Sequence, residues 1–199
     1  MKIGIFGGTF SPPHLGHIRA AEAFANEMEL DKLIIIPTFI PHKKDMSGVA
    51  PALERLHMCR LSFEGRIYEI SDMEIARGDS YTAITLDELR KIYPDDELYI
   101  LFGTDMFLTL GNWVRAGDIF GMCTVVCASR ENDPDSEMKI MEKIGIYREQ
   151  FGARIRHISL KPAEISSSNI RDRIKLGEDI SGMVTPSVRD YIKTNGLYK

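Results

Sequence analysis

Gly7-Gly8-Thr9-Phe10-Ser11-Pro12-Pro13-His14-Leu15-Gly16-His17 sets two glycines, two hydroxyls and two imidazoles in line directly after the apolar run Lys2-Ile3-Gly4-Ile5-Phe6. Glycine lets a main chain approach an anion with no Cβ in the way, and Thr9 and Ser11 bring hydroxyl donors. His14 and His17 are three apart, about one helical turn, so both rings project to one side. Ile18, Ala21, Ala25 and Met28 then recur at helical spacing, which makes the stretch a strand-to-helix loop. A helix starting near Leu15 points unpaired N–H groups and the positive end of its dipole at whatever lies above the strand, and phosphate suits that position. The chemistry is the holding of a nucleoside triphosphate, with the imidazoles giving hydrogen bonds or positive charge as charge builds on the phosphate oxygens. Taken singly, a glycine pair before Pro-Pro is an ordinary turn and either histidine an ordinary surface residue. The ordered set favours phosphate.

Other phosphate loops fit poorly. G-x-x-x-x-G-K-[ST] is absent, and Gly4, Gly7 and Gly8 do not make G-x-G-x-x-G. A dinucleotide-binding dehydrogenase places an acidic residue at the end of its second strand, whereas Leu33-Ile34-Ile35-Ile36 runs into Pro37-Thr38.

Further candidates follow other strand-like runs. Asp105 stands just beyond Leu98-Tyr99-Ile100-Leu101-Phe102-Gly103, where a carboxylate can grip ribose hydroxyls or equally cap a short helix. Trp113, the single tryptophan, lies in a glycine-containing loop; it is either a core residue or a flat platform for an aromatic ring. Ser80-Tyr81-Thr82-Ala83-Ile84-Thr85-Leu86 opens a helix whose early N–H groups suit a carboxylate. Ile165-Ser166-Ser167-Ser168-Asn169-Ile170-Arg171 opens another, with three hydroxyls where a cap needs one, and an arginine suited to phosphate. Between 154 and 175, six Lys or Arg face Glu164 and Asp172, either a local basic site or a solvated face.

These residues need a scaffold. Strands are expected at 2–7, 32–37, 67–71, 97–102, 123–128 and 155–159, with helices near 16–29, 51–62, 81–93, 134–150, 168–176 and 186–195. The alternation predicts an α/β fold with a doubly wound, mainly parallel sheet flanked by helices. Asp133-Pro134 and Thr185-Pro186 read as helix starts, each a capping side chain followed by proline at the first helical position. The 199 residues suit one domain. A net charge of −4 gives no global basic excess for nucleic acid. Cys59, Cys123 and Cys127 lack the count and spacing of a disulfide framework or zinc knuckle and are expected reduced and buried. The longest apolar run, Leu33 to Ile36, is too short for a bilayer, and no extended apolar core precedes Gly7. A cytoplasmic protein is expected, with no nucleic-acid or membrane partner and a homo-oligomer left open.

G-G-T-F-x-P-P-H-x-G-H resembles the phosphate-binding motif of the nucleotidyltransferase superfamily with the H-x-G-H element. Ser80-Tyr81-Thr82, Gly103-x-Asp105, Leu110-x-x-Trp113, Ile165 to Arg171, and the Pro186, Val188, Tyr191 and Ile192 positions stand in the order of the bacterial nicotinate-nucleotide adenylyltransferases, and the similarity runs over nearly the whole chain. The resemblance implies a single Rossmann-like nucleotidyltransferase domain over 1–199, its C-terminal helical part from about 160 to 199 completing an ATP site. It implies adenylyl transfer from ATP to nicotinate mononucleotide, giving deamido-NAD and pyrophosphate without a covalent enzyme intermediate. Mg²⁺ would come with the triphosphate, and no metal would be held by the protein alone. Gly7, Gly8, Thr9 and Phe10 would lie along the ATP, His14 and His17 on its phosphates, and Gly103 and Asp105 at its ribose. Ile165, Ser167, Ser168 and Arg171 would stand at the triphosphate tail, and His14, His17 and Arg171 would be catalytic. The pyridine ring would stack on Trp113, with its carboxylate received by N–H groups near Thr85 and Trp113. Ser11, Thr82, His42 and Lys43 would complete the mononucleotide site.

Three positions depart from the family pattern: Ser11 stands where Asp is common, Ile40 replaces the first proline of a frequent Pro-Pro-His-Lys, and Ser168 replaces a usual Thr. The alternatives are another adenylyltransferase of the superfamily, such as pantetheine-phosphate adenylyltransferase, and a non-catalytic ATP sensor.

Overall fold

The computed structural model describes residues 1–39, 48–131, 133–161 and 165–199. Six strands, β1 (Lys2–Gly8), β2 (Lys32–Pro37), β3 (Tyr68–Ile70), β4 (Glu97–Gly103), β5 (Thr124–Arg130) and β6 (Ile155–Leu160), form one sheet in the order β3-β2-β1-β4-β5-β6. The registers of β1 with β4, β4 with β5 and β5 with β6 are parallel. Such strands are buried on both faces and read as unbroken apolar runs; Leu33 to Ile36 of β2 are all buried. The strand order reverses at β1 and β4, whose carboxyl ends lead into the glycine loop and into Gly103 and Asp105 respectively.

The helices are α1 (Leu15–Met28), α2 (Ala52–Ser62), α3 (Met73–Arg77), α4 (Thr82–Ile92), α5 (Thr104–Thr109), α6 (Ala116–Met122), α7 (Pro134–Phe151), α8 (Ser167–Lys175) and α9 (Pro186–Asn195), with a 3-10 turn at Leu110–Asn112. The two proline-led starts form as expected. The Asp133 carboxylate accepts from the Ser136 N–H at 3.1 Å, and the Thr185 hydroxyl accepts from the Val188 N–H at 3.3 Å. The short helices α3, α5 and α6 are additional to the six expected spans, being too brief for helical periodicity to register.

The chain groups into two compact units. The first comprises Met1–Phe6, Ala23–Leu33 and Tyr81–Pro162; the second comprises Gly7–Glu22, Ile34–Ser80 and Ala163–Lys199. In the first, Phe107, Phe120 and Phe151 pack around Tyr147 with ring centroids 4.9 to 6.2 Å away. In the second, α2, α8 and α9 share a core of Met58, Ile170, Val188, Ile192 and Tyr198. Among the described residues no helix is long and apolar enough to cross a membrane.

Candidate active site

The glycine loop belongs to the second unit, and its shape follows from one ring. A Cβ on Gly8 would stand 3.0 to 3.3 Å from the Phe10 ring, so Gly8 leaves room for a buried side chain. Phe10 takes φ 48° and packs edge-on against His17 at 4.9 Å and Phe63 at 6.0 Å. That ring is core, which leaves only the main chain of residue 10 to follow a nucleotide. His14 and His17 stack with centroids 3.7 Å apart. The His14 N–H donates to His17 Nδ1 at 3.2 Å, so the neutral His17 ring carries its proton on Nε2. Burial pulls the His14 imidazolium down to about 4 and, together with the neighbouring His14, holds His17 well below 6.5. At neutral pH both rings are therefore hydrogen-bonding groups rather than cations. His14 Nδ1 is buried without a partner among the described residues.

The start of α1 is less open than the helix-dipole argument predicts. The Leu15 N–H is bonded to Met183 O and the His17 N–H to His14 O, at 2.9 and 2.8 Å, and of the first three amides that of Gly16 has no partner among the described residues.

Helix α8 is fastened to the same loop. Ser166 is its cap, accepting from the Asn169 N–H at 3.1 Å. Ser167 donates to Pro12 O at 2.9 Å, and Arg171 Nη1 donates to Ser11 O at 3.0 Å. Ser168 is exposed beside the Ser166 hydroxyl, and Ile165 packs against the α2, α8 and α9 core. Ser11 itself is 0 % exposed; its hydroxyl accepts the Ala50 N–H at 3.0 Å and lies 3.1 Å from the Tyr198 hydroxyl. It is an internal joint in this structure, where the resemblance implied a mononucleotide contact. Ile40, His42 and Lys43 lie outside the described residues.

The first unit holds the remaining candidates. Gly103 is exposed at the end of β4, with open space where a Cβ would stand. Asp105 is inside the first turn of α5 and Gly103 is its cap, so the Asp105 carboxylate caps nothing; it is exposed and makes no hydrogen bond or ion pair among the described residues. Trp113 is half-buried, edge-on to Phe102 at 5.4 Å, with its indole N–H donating to the Thr109 hydroxyl at 3.4 Å. The N–H of Trp113 is bonded to Leu110 O and that of Thr85 to Tyr81 O, so the amides of half-buried Thr82 and of Ala83 precede the first bonded turn of α4. Thr85 is buried.

Residues 5–173 match the cytidylyltransferase-like family model. The chain belongs to that family. Within it, the chain groups with nicotinate-nucleotide adenylyltransferases over its full length. It is 35% identical to a probable nicotinate-nucleotide adenylyltransferase of Lachnoclostridium phytofermentans, with 99% of this chain and 98% of that one covered. It is 36% identical to one of Dehalococcoides mccartyi, with 100% and 97% covered. The fold matches Plasmodium falciparum nicotinic acid mononucleotide adenylyltransferase complexed with APC and with NaAD. TM-scores are 0.75 and 0.77 at 17% identity, covering 99% of this chain and 96% and 97% of those.

Two features that shape this adenylyltransferase chain escaped the sequence reading. Arg55, in the first turn of α2, is buried and donates to three carbonyls, whereas an arginine on a helix ordinarily reads as solvated surface. Tyr147 reaches from α7 to the turn before Trp113, accepting the Gly111 N–H at 3.1 Å and donating toward Phe107 O at 3.0 Å. The glycine at 111 was the available signal, since a Cβ there would stand 2.7 Å from the Tyr147 ring. The three cysteines are free and buried, and burial pushes the Cys123 and Cys127 thiols up to about 12 and Cys59 upward as well, so none is a thiolate nucleophile. No group of three or more His, Cys, Asp or Glu among the described residues is arranged to hold a metal ion.

Proposed function

We propose that this chain transfers the adenylyl group of ATP to nicotinate mononucleotide. A phosphate oxygen of the mononucleotide attacks the α-phosphorus, the bond from that phosphorus to the bridging oxygen of the β-phosphate breaks, and deamido-NAD and pyrophosphate result. The reaction needs no protein nucleophile, and the protein's share is positioning and charge stabilisation. His17 donates from Nε2 to the α-phosphate as charge builds there, and His14 and Arg171 serve the phosphates beside it. Gly7, Gly8, Thr9 and the main chain of Phe10 run along the nucleotide, Ser167 and Ser168 stand at its tail, and Gly103 and Asp105 take the ribose. Mg²⁺ arrives on the triphosphate as part of the substrate, held by phosphate oxygens and water, which suits its reluctance to dehydrate. Trp113 stacks on the pyridine, with the carboxylate at the N–H groups opening α4. We read the chain as one cytoplasmic nucleotidyltransferase domain that is open to self-association.

The observation that carries this reading is the fastening of Arg171 to the histidine loop, because it brings a guanidinium into the same unit as the stacked imidazole pair. A pyrophosphate-release screen of ATP with nicotinate mononucleotide, nicotinamide mononucleotide and phosphopantetheine tests it. N–H donors satisfy an acid but face the amide's NH₂ with another donor, so the acid should exceed the amide by about 10- to 100-fold in kcat/KM. Equal use of the amide removes the carboxylate assignment; release with phosphopantetheine alone replaces the substrate.

A further inference from the structure

Arg55 is 1 % exposed, and all three nitrogens of its guanidinium donate to main-chain carbonyls. Nε donates to Ala50 O at 2.9 Å, Nη1 to Thr9 O at 2.8 Å and Nη2 to Phe39 O at 3.1 Å. These three carbonyls come from separate stretches of the second unit: the glycine loop, the residues just past β2, and the approach to α2. No carboxylate pairs with the guanidinium among the described residues.

A buried cation bonded to neutral carbonyls is an expensive way to fill space, since an apolar side chain of similar volume does that without desolvating a charge. Two properties justify it. The guanidinium is a rigid planar fork, so three acceptors bonded to it cannot shift independently. It also stays charged, lending a positive floor to a loop whose ligand is anionic. Thr9 is the key contact, being flanked by Gly8, whose missing Cβ admits the Phe10 ring, and by Phe10 at φ 48°. Displacement of Thr9 O therefore disturbs the turn that carries Ser11, His14 and His17 onward.

We infer that Arg55 is a positioning residue for phosphate binding, setting the course of the Gly7 to His17 loop by tying Thr9 to Phe39 and Ala50. The inference rests on the adenylyl-transfer reading for its kinetic consequences but not for its structural ones. Arg55→Lys keeps the charge and loses the fork, and Arg55→Ala opens a space that methylguanidinium can enter. In both, amides of residues 8 to 17 should exchange with deuterium at least about tenfold faster while β4 to β6 stay protected, because the loop loses its tie and the strands do not. Equilibrium ATP binding should weaken about tenfold and kcat should fall about 10²-fold, with KM for the mononucleotide changed much less. Millimolar methylguanidinium, and not methylammonium, should restore ATP binding to Arg55→Ala. A role confined to stability would lower Tm and leave kcat, KM and rescue unmoved in the folded fraction. The inference is overturned by wild-type ATP binding in either folded variant, by unchanged loop exchange, or by failure of both variants to fold. Absence of pyrophosphate release from the unaltered protein would instead sink the functional reading, with exchange and ATP binding still deciding Arg55.

Discussion

His14 and His17 stack so closely that a proton on either ring faces its neighbour, and burial adds to that penalty. By residue type alone these imidazoles can offer either charge or hydrogen bonds; in this structure they offer hydrogen bonds, and the His14 N–H fixes which nitrogen of His17 does so. His17→Ala should cost about 10²–10³ in kcat with the fold intact, the usual loss for one donor aimed at developing charge. Because both rings are already neutral above pH 6.5, the kcat/KM profile should carry no imidazole ionisation between there and pH 8. A limb near neutrality that vanishes in His17→Ala would show a charged imidazole at work instead. Asp105 follows the opposite logic: its carboxylate is exposed and makes no hydrogen bond or ion pair among the described residues, so truncating it should leave stability alone and appear in ATP kinetics.

The strand-to-helix alternation was legible because parallel strands buried on both faces print as apolar runs, and because Pro134 and Pro186 mark the first turns of α7 and α9. What joins elements was not legible. The turn before Trp113 is held by Tyr147, thirty-six residues away from Gly111, and no local pattern announces a bond of that span. Gly111→Ala forces a methyl into the Tyr147 ring, which sits among Phe107, Phe120 and Phe151 and has little room to yield. The expected result is a loss of about 1–3 kcal/mol in urea unfolding and a rise in KM for nicotinate mononucleotide larger than that for ATP, as the proposed platform at Trp113 shifts. Equal changes in both KM values would detach Trp113 from the pyridine. The same blindness to long-range bonds hid Arg55, whose partners at 9, 39 and 50 converge only once the second unit has folded.

For the molecule as a whole, the depressed histidines make stability a function of pH with a definite sign. His14 binds its proton near pH 4 when folded and near 6.5 when unfolded, so between those values the unfolded chain holds more protons. Its contribution is complete above pH 6.5 and is lost as pH falls toward 4; His17, lowered for the same reason, acts in the same direction. The interval in pKa corresponds to about 3 kcal/mol for His14 if burial alone holds it there. His14→Gln removes that titration and also the neighbour that helps depress His17. Urea unfolding at pH 7 and pH 4.5 should therefore show the unaltered protein losing about 2–3 kcal/mol more than His14→Gln over that interval, the carboxylates being common to both. Parallel losses in the two proteins would mean that His14 is solvated or paired in solution, and the stacked neutral pair would then cease to describe the proposed phosphate site before ATP arrives.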